Sequence, residues 1–169
     1  AAGGTAELAG AQLKVTHVDP ADPAADPSGV VTDDSWTSGT APHEITGLTA
    51  GVVYTLTETA AANGYTVAES INFIIQPDGS VKAKKASEPD TAYALVTDKT
   101  VLMEDAKTTV KISKTAVGGS AELAGAALTV THIDYADPAN VNGVVTDASW
   151  ISGTAPKEVT GLTVGVVYT

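Results

Sequence analysis

The sequence contains no cysteine among its 169 residues. A disulfide framework, thiol catalysis and zinc sites built on thiolates are therefore excluded. Basic residues are also scarce, with 9 Lys and Arg against 20 Asp and Glu, for a net charge of −11. This balance argues against nucleic acid and anionic membrane surfaces as partners. No run of 18 apolar residues is present, so no transmembrane helix is predicted within this sequence.

The residues that are abundant favour β-structure. Aromatic residues make up only 5% of the chain, and the apolar supply is mainly Val, Ile, Leu and Ala, accompanied by many Thr and 16 Gly. Many short strands separated by turn residues are typical of an antiparallel sandwich or barrel. The Pro77-Asp78-Gly79 turn predicts a hairpin, and Ala6–Ala11 is predicted as a short helical turn. Strands are predicted at 12–19, 29–36, 52–58, 70–76, 80–84, 91–97, 100–106 and 109–114.

The chain repeats itself. Residues 1–55 are repeated at 116–169, and the two copies are identical at roughly three positions in four. The offset between equivalent residues is 115 up to a one-residue gap near 25–28 and 114 after that gap. This period fits one small domain per repeat and is too long for a solenoid turn. We therefore predict a tandem array, with one module at 1–107 that lacks its first strand and the first half of the next module at 108–169.

Strand alternation directs three ionisable side chains toward the apolar face. Glu58 follows Tyr54 and Leu56 at spacing two, Lys114 follows Val110 and Ile112, and Asp105 follows Val101 and Met103. Each could simply lie at a strand end with its head group in water. Buried together, however, a neutral lysine amine, an aspartic acid and a protonated glutamic acid could form a Lys–Asp isopeptide bond with loss of water.

Four motifs carry a resemblance to a known family. The runs VKISKT with AELAGAALTV, SWISGTAP, GVVYTLTETAAANGYTVAESINFIIQPDGSV and TVLMEDA occur in family order, and together they resemble a Cna B-type domain of Gram-positive surface adhesins and pilins. The resemblance implies an all-β, Ig-like or prealbumin-like, antiparallel Greek-key sandwich closed by a spontaneous isopeptide bond. It implies Lys114 as the nucleophile, Glu58 as the catalytic proton shuttle and Asp105 as the acceptor. Ala62 departs from the family, which usually has proline there.

The repeat frame decides which groups belong together. In the family the lysine opens a module and the acid closes it, so Asp105 and Glu58 belong to module one and Lys114 to module two. The lysine of module one is expected two residues upstream of Ala1, and the acids of module two after Thr169. We therefore expect no complete triad inside one module of this sequence. A neighbouring copy that donates the 109–114 strand would instead link two chains.

Other polar features are interpreted as structural. Asp19, Asp22 and Asp26 do not have the spacing of an EF-hand and are predicted to form a solvated acidic loop, with no metal site. His17 and its counterpart His132 are predicted to be isolated. Trp36 and Trp150 are interpreted as packing residues, with a carbohydrate platform as the alternative.

The sequence thus predicts a structural repeat module of a bacterial cell-surface stalk, adhesin or pilus-like fibre. The alternative is an adhesin module whose loops bind a host protein or glycan. No enzyme with turnover and no cofactor is expected, since isopeptide formation would occur once per module. The expected partners are neighbouring repeats of the same protein, other copies in a fibre and a host-surface ligand. The expected location is extracellular, on the cell wall or in a secreted fibre of a Gram-positive-type bacterium.

Overall fold

The computed structural model describes residues 7–22, 24–136 and 142–169. These residues form two compact units, one containing the described residues up to Ala62 and Thr66–Ala106, the other Asn63–Tyr65 and the described residues from Lys107 on. Both units are built from antiparallel strands, as predicted. The helical segments among the described residues are two short 3-10 turns, at Asp90–Ala92 and Thr97–Lys99. Within the described ranges, no helix has the length and apolar character needed to span a lipid bilayer.

Unit 1 contains a six-stranded antiparallel sheet in the order β2-β1-β3-β4-β5-β6. The alternation of apolar and polar residues places one face of each central strand on the core. Val15, Tyr54, Leu56, Phe73 and Val81 form the buried cluster on that face. The predicted hairpin forms between β4 and β5, where the Gln76 N–H bonds to the Ser80 carbonyl at 2.8 Å. The strands are β1 (Gln12–Val18), β2 (Val30–Thr37), β3 (Val53–Ala60), β4 (Ile71–Ile75), β5 (Val81–Lys85) and β6 (Ala94–Leu95).

Extended segments that form no strand ladder pack against the core face of the six-stranded sheet in unit 1. The predicted strand at 100–106 is wrong, although Val101 and Met103 do pack against the core cluster. Apolar alternation placed these side chains correctly, but a ladder also requires a neighbouring strand, which the segment does not have among the described residues. The predicted strand at 91–97 shortens to β6, which pairs with β5, because 3-10 turns occupy the residues on both sides of it. The predicted helical turn is also wrong over 7–11, where Gly10 adopts a φ of 98° in a turn, and Ala6 lies outside the described residues.

Unit 2 contains two two-stranded sheets. Strands β8 (Ala127–Ile133) and β9 (Val144–Ile151) form one hairpin, and β7 (Thr109–Ile112) pairs with β10 (Lys157–Thr160). The β8–β9 hairpin has the same pairing register as β1–β2 and the same bulge, after Val130 here and after Val15 in unit 1. Similar sequences in the two copies thus fold into the same local structure.

The shared bulge creates a His–Asp pair in each unit. It leaves Asp33 unpaired in the ladder, and the Asp33 carboxylate lies 2.9 Å from His17 Nδ1. In unit 2, Asp147 and His132 form the same contact at 2.8 Å. The prediction that these histidines are isolated is therefore wrong. A bulge adds one residue to a strand and turns a side chain to the other face, which alternation alone does not predict.

Candidate functional site

Glu58 reaches the core of unit 1 from the end of β3. In this strand Tyr54, Leu56 and Glu58 lie on the buried face, and the exposed fraction of Glu58 is only 4%. Its carboxylate accepts a hydrogen bond from the Ala68 N–H at 2.5 Å. This single donor replaces only part of the hydration that the carboxylate loses on burial. Glu58 is therefore a buried acid with an incomplete set of partners for its charged form.

Asp105 lies beside Glu58 although it comes from a different part of the chain. The 100–106 segment alternates, with Leu102 65% exposed and Asp105 only 6% exposed, on the same side as Val101 and Met103. A hydrogen bond from the Thr66 N–H to the Ala106 carbonyl, at 2.9 Å, holds the end of this segment. Two carboxyl groups that are far apart in the sequence therefore lie together in a region with very little exposure to solvent.

The neighbourhood of Glu58 favours its protonated form. Burial raises the pKa of the Glu58 carboxyl above its ordinary value of 4.5. The hydrogen bond from the Ala68 N–H lowers this pKa, whereas the negative charge of Asp105 and a hydrogen bond with the Asp105 side chain raise it further. Like charges at close range disfavour simultaneous ionisation. The pair is therefore suited to hold a proton between two carboxyl groups.

This raised pKa predicts a pH dependence of stability. Because folded Glu58 binds its proton more tightly than the unfolded chain does, its contribution to the free energy of unfolding should fall as pH rises from about 4.5 through the folded-state pKa. Glu58→Gln keeps an oxygen for the Ala68 N–H and removes the charge. Chemical denaturation between pH 4 and 8 should show the variant gaining stability relative to the parent as pH rises. Parallel curves for the two proteins would contradict a raised pKa.

The two carboxyl groups face a cleft in unit 1. The cleft has a volume of about 760 Å³, and its walls include the apolar side chains of Trp36, Ile45 and Met103 as well as Glu58 and Asp105. An incoming side chain could therefore reach the buried acids through an apolar passage. No group of three or more metal-ligating side chains occurs in the described parts of the chain.

Lys114 lies outside this site. It belongs to unit 2, follows β7 and is exposed, whereas Ile112 on the same predicted face is half-buried. The prediction that Lys114 points to a core is thus wrong in this structure. The backbone beyond β7 is held by Glu122, whose carboxylate accepts hydrogen bonds from the Lys114 N–H at 2.9 Å and from the Ser113 hydroxyl. The structure therefore brings Glu58 and Asp105 together but places Lys114 in the other unit.

Sequence reasoning did not identify a lysine that the structure buries. Lys84 is 7% exposed, and its ammonium group donates to the Glu88 carbonyl at 2.6 Å and lies 3.5 Å from the Asp90 carboxylate. Lys84 lies beside Ala83 of the core face in β5, so strand alternation places it on the opposite face of the sheet. The turn after β5 covers it instead, with Tyr93 5.4 Å from the ammonium. These contacts give Lys84 a structural role.

The acidic loop between β1 and β2 uses its carboxylates within the loop. Asp19 accepts from the Ala21 N–H at 3.0 Å, and Asp22 accepts from the Ala24 N–H at 2.7 Å. Asp26 accepts from the Val30 N–H at 3.0 Å and from both the N–H and the hydroxyl of Ser28. These are the turn-forming contacts typical of Asp, and they account for the acidic residues without a ligand.

The fold and the buried carboxyl pair define an all-β module of antiparallel strands with an acidic site in its core. A family model described as "SpaA: Prealbumin-like fold domain" matches residues 2–89, just over half of the chain, and the protein belongs to this family. The predicted family resemblance and the predicted all-β, prealbumin-like fold are thereby confirmed, while the tandem array stays a prediction. A search of curated proteins and a search of solved structures found no match. The family indicates a module of a Gram-positive surface pilin or related surface protein, and hence an extracellular location and association with other pilin repeats.

Proposed function

We propose that this protein is a structural repeat module of a cell-surface stalk, adhesin or pilus-like fibre, covalently stabilised by Lys–Asp isopeptide bonds. The observation that carries the proposal is the burial of Glu58 and Asp105 side by side on an apolar cleft, at 4% and 6% exposure. Two adjacent buried acids destabilise a fold, so a site that keeps them is a candidate for a functional role. Reaction with a lysine would remove this cost, because a neutral amide replaces an ionisable carboxyl.

The reaction follows from the chemistry of the pair. A lysine that enters the cleft loses hydration, which lowers the pKa of its amine and exposes the lone pair. Its nitrogen attacks the carboxyl carbon of Asp105, while protonated Glu58 donates a hydrogen bond to the Asp105 carbonyl oxygen. Glu58 then transfers protons from the amine nitrogen to the departing hydroxyl group. An amide and one water molecule are formed, and Glu58 ends in its original state.

This chemistry would occur once per module and has no substrate to release. It supports a mechanical role, because a bond between the first and last strands of a module prevents their separation under tension. A protein without cysteine has no disulfide available for that purpose. The proposed partners are accordingly other repeats of the same protein along a cell-surface fibre.

Intact mass tests the bond directly. The repeat offset places residues 108–115, TTVKISKT, immediately before the counterpart of Ala1. A chain extended by these eight residues should have a mass lower by one water molecule than its sequence requires. Asp105→Ala in the extended chain should restore the full mass, and Glu58→Gln should slow the loss of water. A full mass for the unsubstituted extended chain would refute the proposed chemistry.

A further inference from the structure

We infer that the NGY turn, Asn63–Tyr65, is a docking element of unit 2, which receives it on the TGL corner at residues 160–162. In the sequence this turn lies between β3 and β4, two strands of unit 1. By its contacts, however, it belongs to unit 2. Unit 2 therefore includes a short piece of chain that is separated in sequence from its other residues. The inference goes beyond the proposed function and does not depend on the isopeptide bond.

The first contact of the turn is a backbone bridge. Tyr65 and Lys107 form an isolated antiparallel bridge, and the Thr108 N–H donates to the Gly64 carbonyl at 2.9 Å. The bridge thus gives partners to main-chain groups that lie outside the strands. Residues 107 and 108 lead directly into β7, so the turn is hydrogen-bonded to the point where the main segment of unit 2 begins.

Thr108 connects the turn to the TGL corner. Its N–H donates to Gly64, its carbonyl accepts from the Gly161 N–H at 3.0 Å, and its hydroxyl donates to the Leu162 carbonyl. Leu162 is buried and belongs to the core cluster of unit 2. The polar groups of one residue therefore join the turn to a corner that carries a core side chain.

Gly64 approaches the corner so closely that no side chain fits between them. A Cβ on residue 64 would lie 2.8 Å from the Gly161 carbonyl oxygen and 3.0 Å from the Gly161 Cα. These are main-chain atoms, which cannot rotate away as a flexible side chain could. Gly64 also adopts a φ of 83°, a conformation that glycine reaches without strain. The turn thus needs glycine both for its own conformation and for its contact with the corner.

The TGL sequence itself sets the shape of the corner. Gly161 has a φ of 81°, and its counterpart Gly47, in the TGL sequence of unit 1, has a φ of 82°. The next residue packs in the core cluster of its own unit in both copies, Leu162 in unit 2 and Leu48 in unit 1. The corner is therefore a preformed surface, and docking of the turn requires little additional ordering of it.

The contact makes the stability of unit 2 depend on the connection between β3 and β4. The chain enters the NGY turn from Ala62 and leaves it at Thr66, and both of these residues belong to unit 1. Unfolding of unit 1 would therefore release the turn and weaken unit 2. In an array of such repeats, each repeat would supply its NGY turn to the repeat that follows it in the chain.

Gly64→Ala in the full chain tests the docking. A Trp36→Phe background leaves Trp150, which packs on the core cluster of unit 2, as the fluorescent reporter. Gly165→Ala is the matched control, because Gly165 has a φ of 82° in the same unit and nothing lies within 4 Å of a Cβ on it. Both variants introduce conformational strain, but only Gly64→Ala also creates a clash. Gly64→Ala should therefore lower the guanidinium midpoint of the Trp150 signal more than Gly165→Ala does.

Hydrogen exchange of the unsubstituted chain tests the same contact without a substitution. The Thr108 N–H donates to the turn, and the Gly161 N–H donates from the corner. If the turn is docked, both amides should exchange with the free energy of opening of unit 2, on the order of tenfold or more slower than an exposed amide. A Thr108 amide that exchanges at the rate of an unstructured peptide would show that the turn is not held there.

A second reporter separates unit 2 from unit 1. In a Trp150→Phe background, the remaining Trp36 packs on the core cluster of unit 1. Gly64→Ala should lower the midpoint of the Trp36 signal less than that of the Trp150 signal. An equal or larger decrease at Trp36 would overturn the inference, as would equal Trp150 midpoints for Gly64→Ala and Gly165→Ala. None of these results depends on the mass of the chain, so the inference and the isopeptide proposal can fail separately.

Discussion

The chain extended by TTVKISKT is expected to have a free energy of unfolding about 4–5 kcal/mol larger than the same chain with arginine at the reactive lysine. The expected bond joins the added segment to Asp105 and closes a loop of roughly 100 residues, which restricts the unfolded chain. Arginine keeps the charge and most of the apolar stem but does not act as a nucleophile at this site. The increase is comparable to the total stability of many small domains.

Guanidinium denaturation followed by tryptophan fluorescence is a suitable measurement. Trp36 lies at the cleft of unit 1 and Trp150 packs in unit 2, so a Trp150→Phe background would restrict the signal to unit 1. Asp105→Ala in the extended chain should also prevent the gain. Equal midpoints for the lysine and arginine chains, each at the full mass required by its own sequence, would show that no stabilising cross-link forms.

Tyr54→Ala is expected to destabilise unit 1 by about 3–5 kcal/mol, the range for truncation of a large aromatic side chain in a core. Tyr54 is 2% exposed and stacks on Phe73 with ring centroids 5.4 Å apart. Its hydroxyl accepts a hydrogen bond from the Thr49 N–H at 2.8 Å, and His17 contacts its edge. The truncation therefore leaves a cavity and an amide without its acceptor. Thermal or chemical denaturation of the variant would measure the loss.

Two matched variants separate these contributions. Tyr54→Phe removes only the hydroxyl and should cost about 1 kcal/mol. Tyr168 is the counterpart in unit 2, where its hydroxyl accepts from the Thr163 N–H at 2.8 Å and its ring contacts His132. Tyr168 has no stacked partner equivalent to Phe73 among the described residues, so Tyr168→Ala should cost less. A larger loss for Tyr168→Ala would contradict this account of the core.

Local sequence patterns predicted the central sheet closely. Strands β1 to β5 begin and end within two residues of the predicted bounds, because apolar alternation is strong there and turns such as Pro77-Asp78-Gly79 separate the strands. The pattern failed at 100–106, where Val101, Met103 and Asp105 share one face but Leu102 lies on the other. Alternation reports which side chains face a core, whereas a ladder depends on a partner strand elsewhere in the chain.

The site shows the same limit. Alternation selected Glu58 and Asp105, and both side chains are buried in the structure. It also selected Lys114, which lies beyond the end of β7 and is exposed in the structure. The His17–Asp33 pair depends on a bulge, and the burial of Lys84 depends on a turn that folds over it. Neither feature produces a periodic pattern in the sequence, so both could be identified only from the tertiary structure.

The hairpin with the shared bulge forms in two different surroundings. In unit 1 its strand β1 also pairs with β3, whereas in unit 2 β8 and β9 form a two-stranded sheet beside the isolated bridge between His132 and Tyr168. The register and the bulge therefore depend on the residues of the hairpin itself and not on a complete third strand. Such a hairpin can form early in folding, because its contacts close only a short loop.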